Sequence, residues 1–131
     1  MVISIDIPVV PNHLHSLKNA LNSLLKQTIS PDEIIVSLSE AYKVPGKKIK
    51  ELKTEYEHKW KKFIILEHEK KMTHGPNRQA GSEVATGELI VYHDADDQSH
   101  PQRLEITKYF FQTYDIVHLN HLWQKEDKDF E

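Results

Sequence analysis

Three observations predict an α/β fold, a three-layer α/β/α sandwich around a mainly parallel sheet. Short apolar, β-branched runs recur along the chain, amphipathic segments at helical spacing separate them, and the two kinds alternate throughout. The 131 residues are 38% hydrophobic and 28% charged, which suits one globular domain over 1–131 with a sizeable core. No internal repeat, low-complexity stretch or linker divides it.

The first expected strand runs from Val2 to Val10 and stops at Pro11. Asn12 is a candidate cap for a helix whose stripe is Leu14, Leu17, Leu21, Leu24 and Leu25. After the turn at Ser30-Pro31-Asp32, Glu33 to Leu38 reads as a second strand. Beyond Pro45-Gly46, Ile49, Leu52, Tyr56 and Trp60 mark one side of a second helix, and Phe63 to Leu66 is a third strand. A polar loop from His68 to Pro76 precedes a short helix over Asn77 to Thr86, closed by Gly87. Glu88 to Tyr92 is the fourth strand. Ser99 and Gln102 have capping-box spacing for a helix with Pro101 in its first turn. Asp115 to Leu119 is a candidate fifth strand, and 124–131 reads as a charged tail.

Composition excludes several functions. The chain has no cysteine, so disulfide frameworks and thiolate metal sites are out, and a reducing, cytoplasmic setting is the expectation. No apolar run approaches membrane-spanning length, and the start of the chain carries no basic signal-peptide head. A net charge of -3 gives no electrostatic ground for binding nucleic acid. Lys47, Lys48, Lys50, Lys53 and Lys59 alternate with Glu51, Glu55 and Glu57, as on a solvated helix face.

The most informative motif is Tyr92-His93-Asp94-Ala95-Asp96-Asp97, three carboxylates crowded where a strand ends. Like charges this close repel unless water screens them or a cation neutralises them. Mg²⁺ and Mn²⁺ prefer oxygen ligands and commonly share one or two carboxylates with substrate phosphates. Two readings follow from the motif itself, a metal-assisted phosphate site or a solvated acidic loop. Parallel sheets bind ligands beyond the carboxyl ends of their strands, and the segments after Val10 and Leu38 are expected at that same edge. His93 and His100 flank the carboxylates, but no paired helical spacing supports zinc, and strand alternation turns His93 away from Asp94. His13, His15, His118 and His121 lack acidic company. Trp60 and Trp123 read as packing residues.

Several motifs together resemble a family. Val2 to Val10, with its Ile-Pro-Val element, is similar to the opening strand of family-2 glycosyltransferases of the GT-A fold. Gly75-Pro76-Asn77-Arg78-Gln79-Ala80-Gly81 and Ala85-Thr86-Gly87-Glu88-Leu89-Ile90 resemble that family's arginine-bearing helix and the strand entry after it. Asp94-Ala95-Asp96-Asp97, with Pro101, Arg103 and Leu104, looks like its Asp-x-Asp motif and following helix. The match runs over nearly the whole chain in register.

The resemblance implies a Rossmann-like domain holding a nucleotide-diphosphate sugar at the strand ends with Mn²⁺ or Mg²⁺, and transfer of the sugar to a hydroxyl acceptor with inversion. It places Pro8, Val9 and Val10 against the nucleoside, and Arg78 near the base or phosphates. Asp96 becomes a metal ligand, Asp94 a ribose contact or second ligand, with Ala95 between them and Asp97 a further ligand. Where the family ends its second strand in a base-reading acid, this chain has Val36-Ser37-Leu38-Ser39-Glu40, so Ser37, Ser39 or Glu40 takes that place and base preference is open.

The resemblance also implies a missing part, because the acceptor-binding half and its general base have no match after Asp97. Asp115, Glu126, Asp127 and Asp129 sit in no context that suits a base. A further domain or subunit is the expected source of the acceptor site. Two alternatives stand beside this reading: a non-catalytic domain for nucleotide-sugar binding or subunit contact, and a metal-dependent nucleotidyl- or phosphotransferase.

Overall fold

The computed structural model describes residues 1–120. The charged tail, Trp123, His121 and the carboxylates after Asp115 lie outside the described residues.

The sheet has four parallel strands in the order β3-β2-β1-β4, where β1 is Ile3–Val9, β2 Glu33–Leu38, β3 Lys62–Glu67 and β4 Leu89–Tyr92. Helices α1 (Leu14–Leu25), α2 (Gly46–Tyr56), α3 (His74–Val84) and α4 (Arg103–Phe111) complete the fold. Side-chain alternation divides the sheet into two unlike faces. Ile3, Ile5, Ile7 and Val9 join Ile34, Val36, Leu38, Leu89 and Val91 in one apolar core. Onto it pack Leu17, Leu21 and Leu24 of α1, Ile49, Leu52 and Tyr56 of α2, and Leu104 of α4. Trp60, just beyond α2, stacks 6.0 Å from Tyr56 and from Phe63 and closes this core at β3.

The opposite face carries Ser4, Asp6, Glu33 and Ser37, all buried, and α3 covers it. The buried residues of α3 are Asn77 and Gly81, so this second layer is held by polar contacts. Ser37 Oγ donates to Asn77 Oδ1 at 2.7 Å, and Asn77 Nδ2 donates to the Val9 carbonyl at 3.3 Å. Glu33 pins the loop after α3: Ser4 Oγ donates to it at 2.6 Å, the Thr86 amide at 2.6 Å and the Thr86 hydroxyl at 2.9 Å.

Several local expectations are corrected. The residues after Val10 form a 3-10 turn over Pro11–His13, and α1 begins at Leu14 with no side-chain cap, so Asn12 does not cap it. Helix α3 starts at His74, three residues earlier than expected, because a proline in the first turn needs no hydrogen-bonded N–H. The Ser99–Gln102 capping box does not form. Ser99 is buried, its amide donates to Ser23 Oγ at 2.9 Å, and α4 begins after Pro101. Asp115 to Leu119 is not a strand, and Ile116 is 87% exposed. Local β propensity makes no strand without a neighbour to complete its ladder.

Gly87 does not close a helix either, since α3 ends at Val84. A Cβ at Gly87 would lie 2.3 Å from Ser4 Oγ, 2.8 Å from Ser4 N and 2.9 Å from Val2 O. Glycine is required there because the chain must press against the β1 backbone, which cannot step aside. Gly87→Ala is therefore expected to lower unfolding stability by about 1–3 kcal/mol. Urea denaturation of the purified variant checks this, and an unchanged midpoint would show that the contact is soft.

Candidate donor site

Beyond β4 the chain makes a tight turn that gathers its acids. The His93 amide extends the ladder by donating to the Asp6 carbonyl at 3.0 Å, and the Asp97 amide donates to the Asp94 carbonyl at 3.2 Å. Ala95 is buried beneath the turn, while Asp94 is half-buried and Asp96 and Asp97 are exposed. One carboxylate oxygen from each of Asp94, Asp96 and Asp97 falls within 4.8 Å of the others. Three hard oxygen donors so grouped, with open solvent on one side, fit Mg²⁺ or Mn²⁺ with room for phosphate or water ligands.

Arg103 braces this loop from below. Its Nη2 donates to the Tyr92 carbonyl at 2.8 Å and its Nη1 to Ser99 Oγ at 3.1 Å. Burial pulls the guanidinium below its ordinary pKa, and the charges of Asp97 and Asp94 work the other way. His93 lies on the apolar side of the sheet. Burial lowers it to about 4, with Arg103 adding to the effect, so the ring is neutral and its Nδ1–H donates to the Asp94 carbonyl at 2.7 Å. It stands apart from the carboxylate cluster.

Helix α3 forms the cationic wall. Arg78 Nη2 lies 3.5 Å from Asp94 Oδ1, and the guanidinium carbon sits 5.0 Å from the centre of the Tyr92 ring. His74 Nε2 is held against the same Nη2 and lies 3.4 Å from Asp94 Oδ1. Arg78 is thus already set against the acidic turn.

The third side is the end of β1 and β2. Pro8 and Val9 are buried and Val10 is exposed at the rim. Ser37 and Ser39 are buried with internal partners. Because the one Ser37 hydrogen goes to Asn77, His68 Nε2 donates to Ser37 Oγ, at 2.8 Å. Ser39 Oγ accepts from the Met72 amide at 2.7 Å. Both hydroxyls therefore organise the loops at the rim and face inward. Glu40 sits in the left-handed region (φ 48°, ψ 50°), a conformation that costs a non-glycine residue about 1 kcal/mol. Its carboxylate pairs with Lys43 at 2.8 Å and accepts from the Tyr42 hydroxyl at 3.2 Å.

Two surface recesses, of about 410 and 370 Å³, lie beside this edge, the first lined by Tyr42, Ile49 and His68 and the second by Pro11, His15 and Lys48. Neither contains a member of the acidic turn, which is an open shelf.

Arg78 and the carboxylates stand out in the sequence, whereas Asp6, His74 and Arg103 join them only in the folded chain. Asp6 was visible as an acid between Ile5 and Ile7. Arg103 stands in the helix start that follows the acidic motif, and His74 carries no local signal.

The parallel sheet, with carboxylates and an arginine helix at its carboxyl edge, has the GT-A glycosyltransferase fold, as superposition on a solved structure shows. S. aureus TarS, solved in complex with UDP and with UDP-GlcNAc, superposes with a TM-score of 0.70 in both cases. The likeness covers 86% of this chain and 32% and 31% of those chains, at 22% sequence identity.

The chain belongs to glycosyl transferase family 2, whose pattern it matches over residues 4–130. An uncharacterised glycosyltransferase of Methanocaldococcus jannaschii is 33% identical over 68% of this chain and 30% of its own length. One from Nostoc sp. is 31% identical over 84% of this chain and 33% of its own. The chain thus spans about a third of the length of these relatives. Among the described residues no helix is long and apolar enough to cross a membrane.

Proposed function

We propose that this chain supplies the donor half of a glycosyltransferase. It binds a nucleotide-diphosphate sugar across the carboxyl ends of β1, β2 and β4 and presents the sugar to a hydroxyl acceptor. The observation that carries this reading is the convergence of Asp94, Asp96 and Asp97 on an open shelf in a family-2 chain. These three carboxylates would hold Mn²⁺ or Mg²⁺, whose charge offsets that of the nucleoside diphosphate leaving group.

The chain's own residues then have distinct tasks. Arg78, over Tyr92 and beside Asp94, faces the donor phosphates as a fixed positive group. Arg103 keeps the acidic turn in shape through the Tyr92 carbonyl and Ser99. Val9, Val10 and the backbone at Ser39 and Glu40 form the nucleoside edge. The TarS complexes with UDP and UDP-GlcNAc support a uridine nucleotide as the first probe.

Transfer also needs a base to take the acceptor's proton, and we assign that role to no residue of this chain. The acceptor site is taken to belong to further polypeptide, in cis or from a partner. Lack of a positioned base typically costs about a hundred- to ten-thousand-fold in rate.

Calorimetric titration of UDP, GDP, CDP and ADP, with Mn²⁺ and then with EDTA, tests the reading. Binding of at least one nucleoside diphosphate is expected in Mn²⁺ and should collapse in EDTA, with only slow release of nucleotide from the sugar donor. No binding of any of the four in Mn²⁺ would remove the reading. Rapid acceptor-dependent turnover would show that the chain contains its own base.

A further inference from the structure

Asp6 is a buried acid behind the donor site. It lies in the middle of β1 between Ile5 and Ile7, and it is fully buried. Its side chain points to the α3 face, where a Cβ on Gly81 would come within 2.0 Å of Oδ1. The helix therefore approaches β1 over a glycine that leaves space for this carboxylate. Ser82 Oγ donates to Asp6 Oδ2 at 3.0 Å, since a charged acceptor outcompetes the Arg78 carbonyl 3.2 Å from the same hydroxyl. The Tyr92 hydroxyl, 3.1 Å from Ser82 Oγ, then donates to that oxygen. Above Tyr92 lies the Arg78 guanidinium.

Two polar atoms in this layer are left over. Asp6 Oδ1 and Arg78 Nε are both buried and find no hydrogen-bond partner among the described residues. Unpaired buried groups are costly, and an apolar residue in place of Asp6 would avoid the cost altogether. Burial pushes Asp6 up to about 6, against the pull of the Ser82 hydrogen bond and the Arg78 charge. The groups facing it are Arg78 and Ser82 from α3, Tyr92 from β4, and Ile35 from β2. Glu33, further along the same face, is engaged by Ser4 and Thr86.

We propose that Asp6 is a positioning residue of the donor site, an internal counter-charge that holds Arg78 over Tyr92 and beside Asp94. The proposal rests on the donor-site reading above. Ionised Asp6 attracts the guanidinium from within, and the Tyr92–Ser82 chain fixes the ring on which it lies. The outer Nη atoms stay aimed at Asp94 and the donor phosphates. Such an arrangement trades stability for preorganisation.

The sign of the stability effect follows from the raised value. The folded chain prefers protonated Asp6, and that preference is fully present below the ordinary value of 3.8 and lost as pH rises through about 6. Asp6→Asn removes an ionisation that the folded chain resists. Its melting temperature should exceed that of the unaltered chain at pH 8, and the gain should shrink as pH falls towards 4.

The same variant should bind UDP in Mn²⁺ at pH 8 roughly three- to thirty-fold more weakly, the range of coupling carried by residues that do not touch a ligand. On an Arg78→Ala background, Asp6→Asn should add no further loss. Equal affinity of Asp6→Asn and the unaltered chain overturns the proposal and leaves the donor site standing. A loss of both stability and affinity at pH 8 marks Asp6 as a packing residue and also overturns it. If the unaltered chain binds no nucleoside diphosphate, the donor reading falls and this inference with it.

A measurement that needs neither nucleotide nor the Asn variant supplements these. The Asp6 carboxyl carbon, followed by NMR against pH, should titrate at a higher pH in Arg78→Ala than in the unaltered chain. An unmoved midpoint shows that the Arg78 charge does not reach Asp6, and the proposal fails.

Discussion

Asp96→Ala is expected to abolish Mn²⁺-dependent binding of nucleoside diphosphate while leaving the fold intact. Asp96 is exposed and lies in a turn outside the core, so its removal opens no cavity. Loss of an outer-shell partner at a metal site costs about 10–100-fold in affinity, and a direct ligand should exceed the upper end of that range. The effect on stability should change sign with the metal. In EDTA the variant relieves repulsion among carboxylates whose oxygens lie within 4.8 Å, so it should melt slightly higher than the unaltered chain. In Mn²⁺ it forgoes the stabilisation that a bound ligand confers on the folded state, and should melt lower. Melting curves with and without Mn²⁺, alongside UDP calorimetry, check both halves. Retained Mn²⁺-dependent affinity would return the acidic turn to the solvated loop that the motif alone also allows.

Glu33→Ala should give the largest loss of stability, about 3 kcal/mol. Glu33 is 2% exposed and accepts from Ser4, the Thr86 amide and the Thr86 hydroxyl. Ser4 Oγ in turn accepts from the Gly87 amide at 2.8 Å, so one carboxylate ties β2, β1 and the entry to β4 together. Truncation strands the buried Ser4 hydroxyl and breaks both Thr86 bonds at once. Glu33→Gln keeps an acceptor oxygen and should cost clearly less.

The pH dependence follows from the same bonds. Burial raises Glu33, but the bonds from Ser4 and Thr86 and the nearby charge of Lys62 outweigh it and leave the group below its usual 4.5. Its contribution is therefore present above about 4.5 and is lost as pH falls through the folded value. The gap between Glu33→Ala and the unaltered chain should narrow in acid. A gap that stayed constant down to low pH would mean that the charge contributes nothing and only packing was lost.

These two residues differ in how they announce themselves. The carboxylates of the acidic turn are adjacent in the chain, and crowding of like charges at a strand end is a local signal. Glu33 sits at the start of a strand, with no local signal to set it apart. What makes it important is Thr86, 53 residues away, and Ser4, 29 residues away.

The same division holds across the molecule. By itself the sequence determined the first four strands, the helices between them and the parallel sheet, which rest on periodicity, and the crowding of Asp94, Asp96 and Asp97 at a strand end, which rests on neighbours. The family and the place of Arg78 came through a resemblance of several motifs in order. Asp6 stands in the sequence as an acid between Ile5 and Ile7, but nothing local marks its importance, since Ser82 is 76 residues further along. Tertiary structure alone decided that one face of the sheet is polar, that Ser37 and Ser39 turn inward, and that Gly87 serves a close approach to β1. It also decided that Asp115 to Leu119 stays out of the sheet. The physical reason is common to all four. A hydrogen bond, a steric limit or a strand ladder needs two surfaces, and only the packed chain brings the second surface to the first.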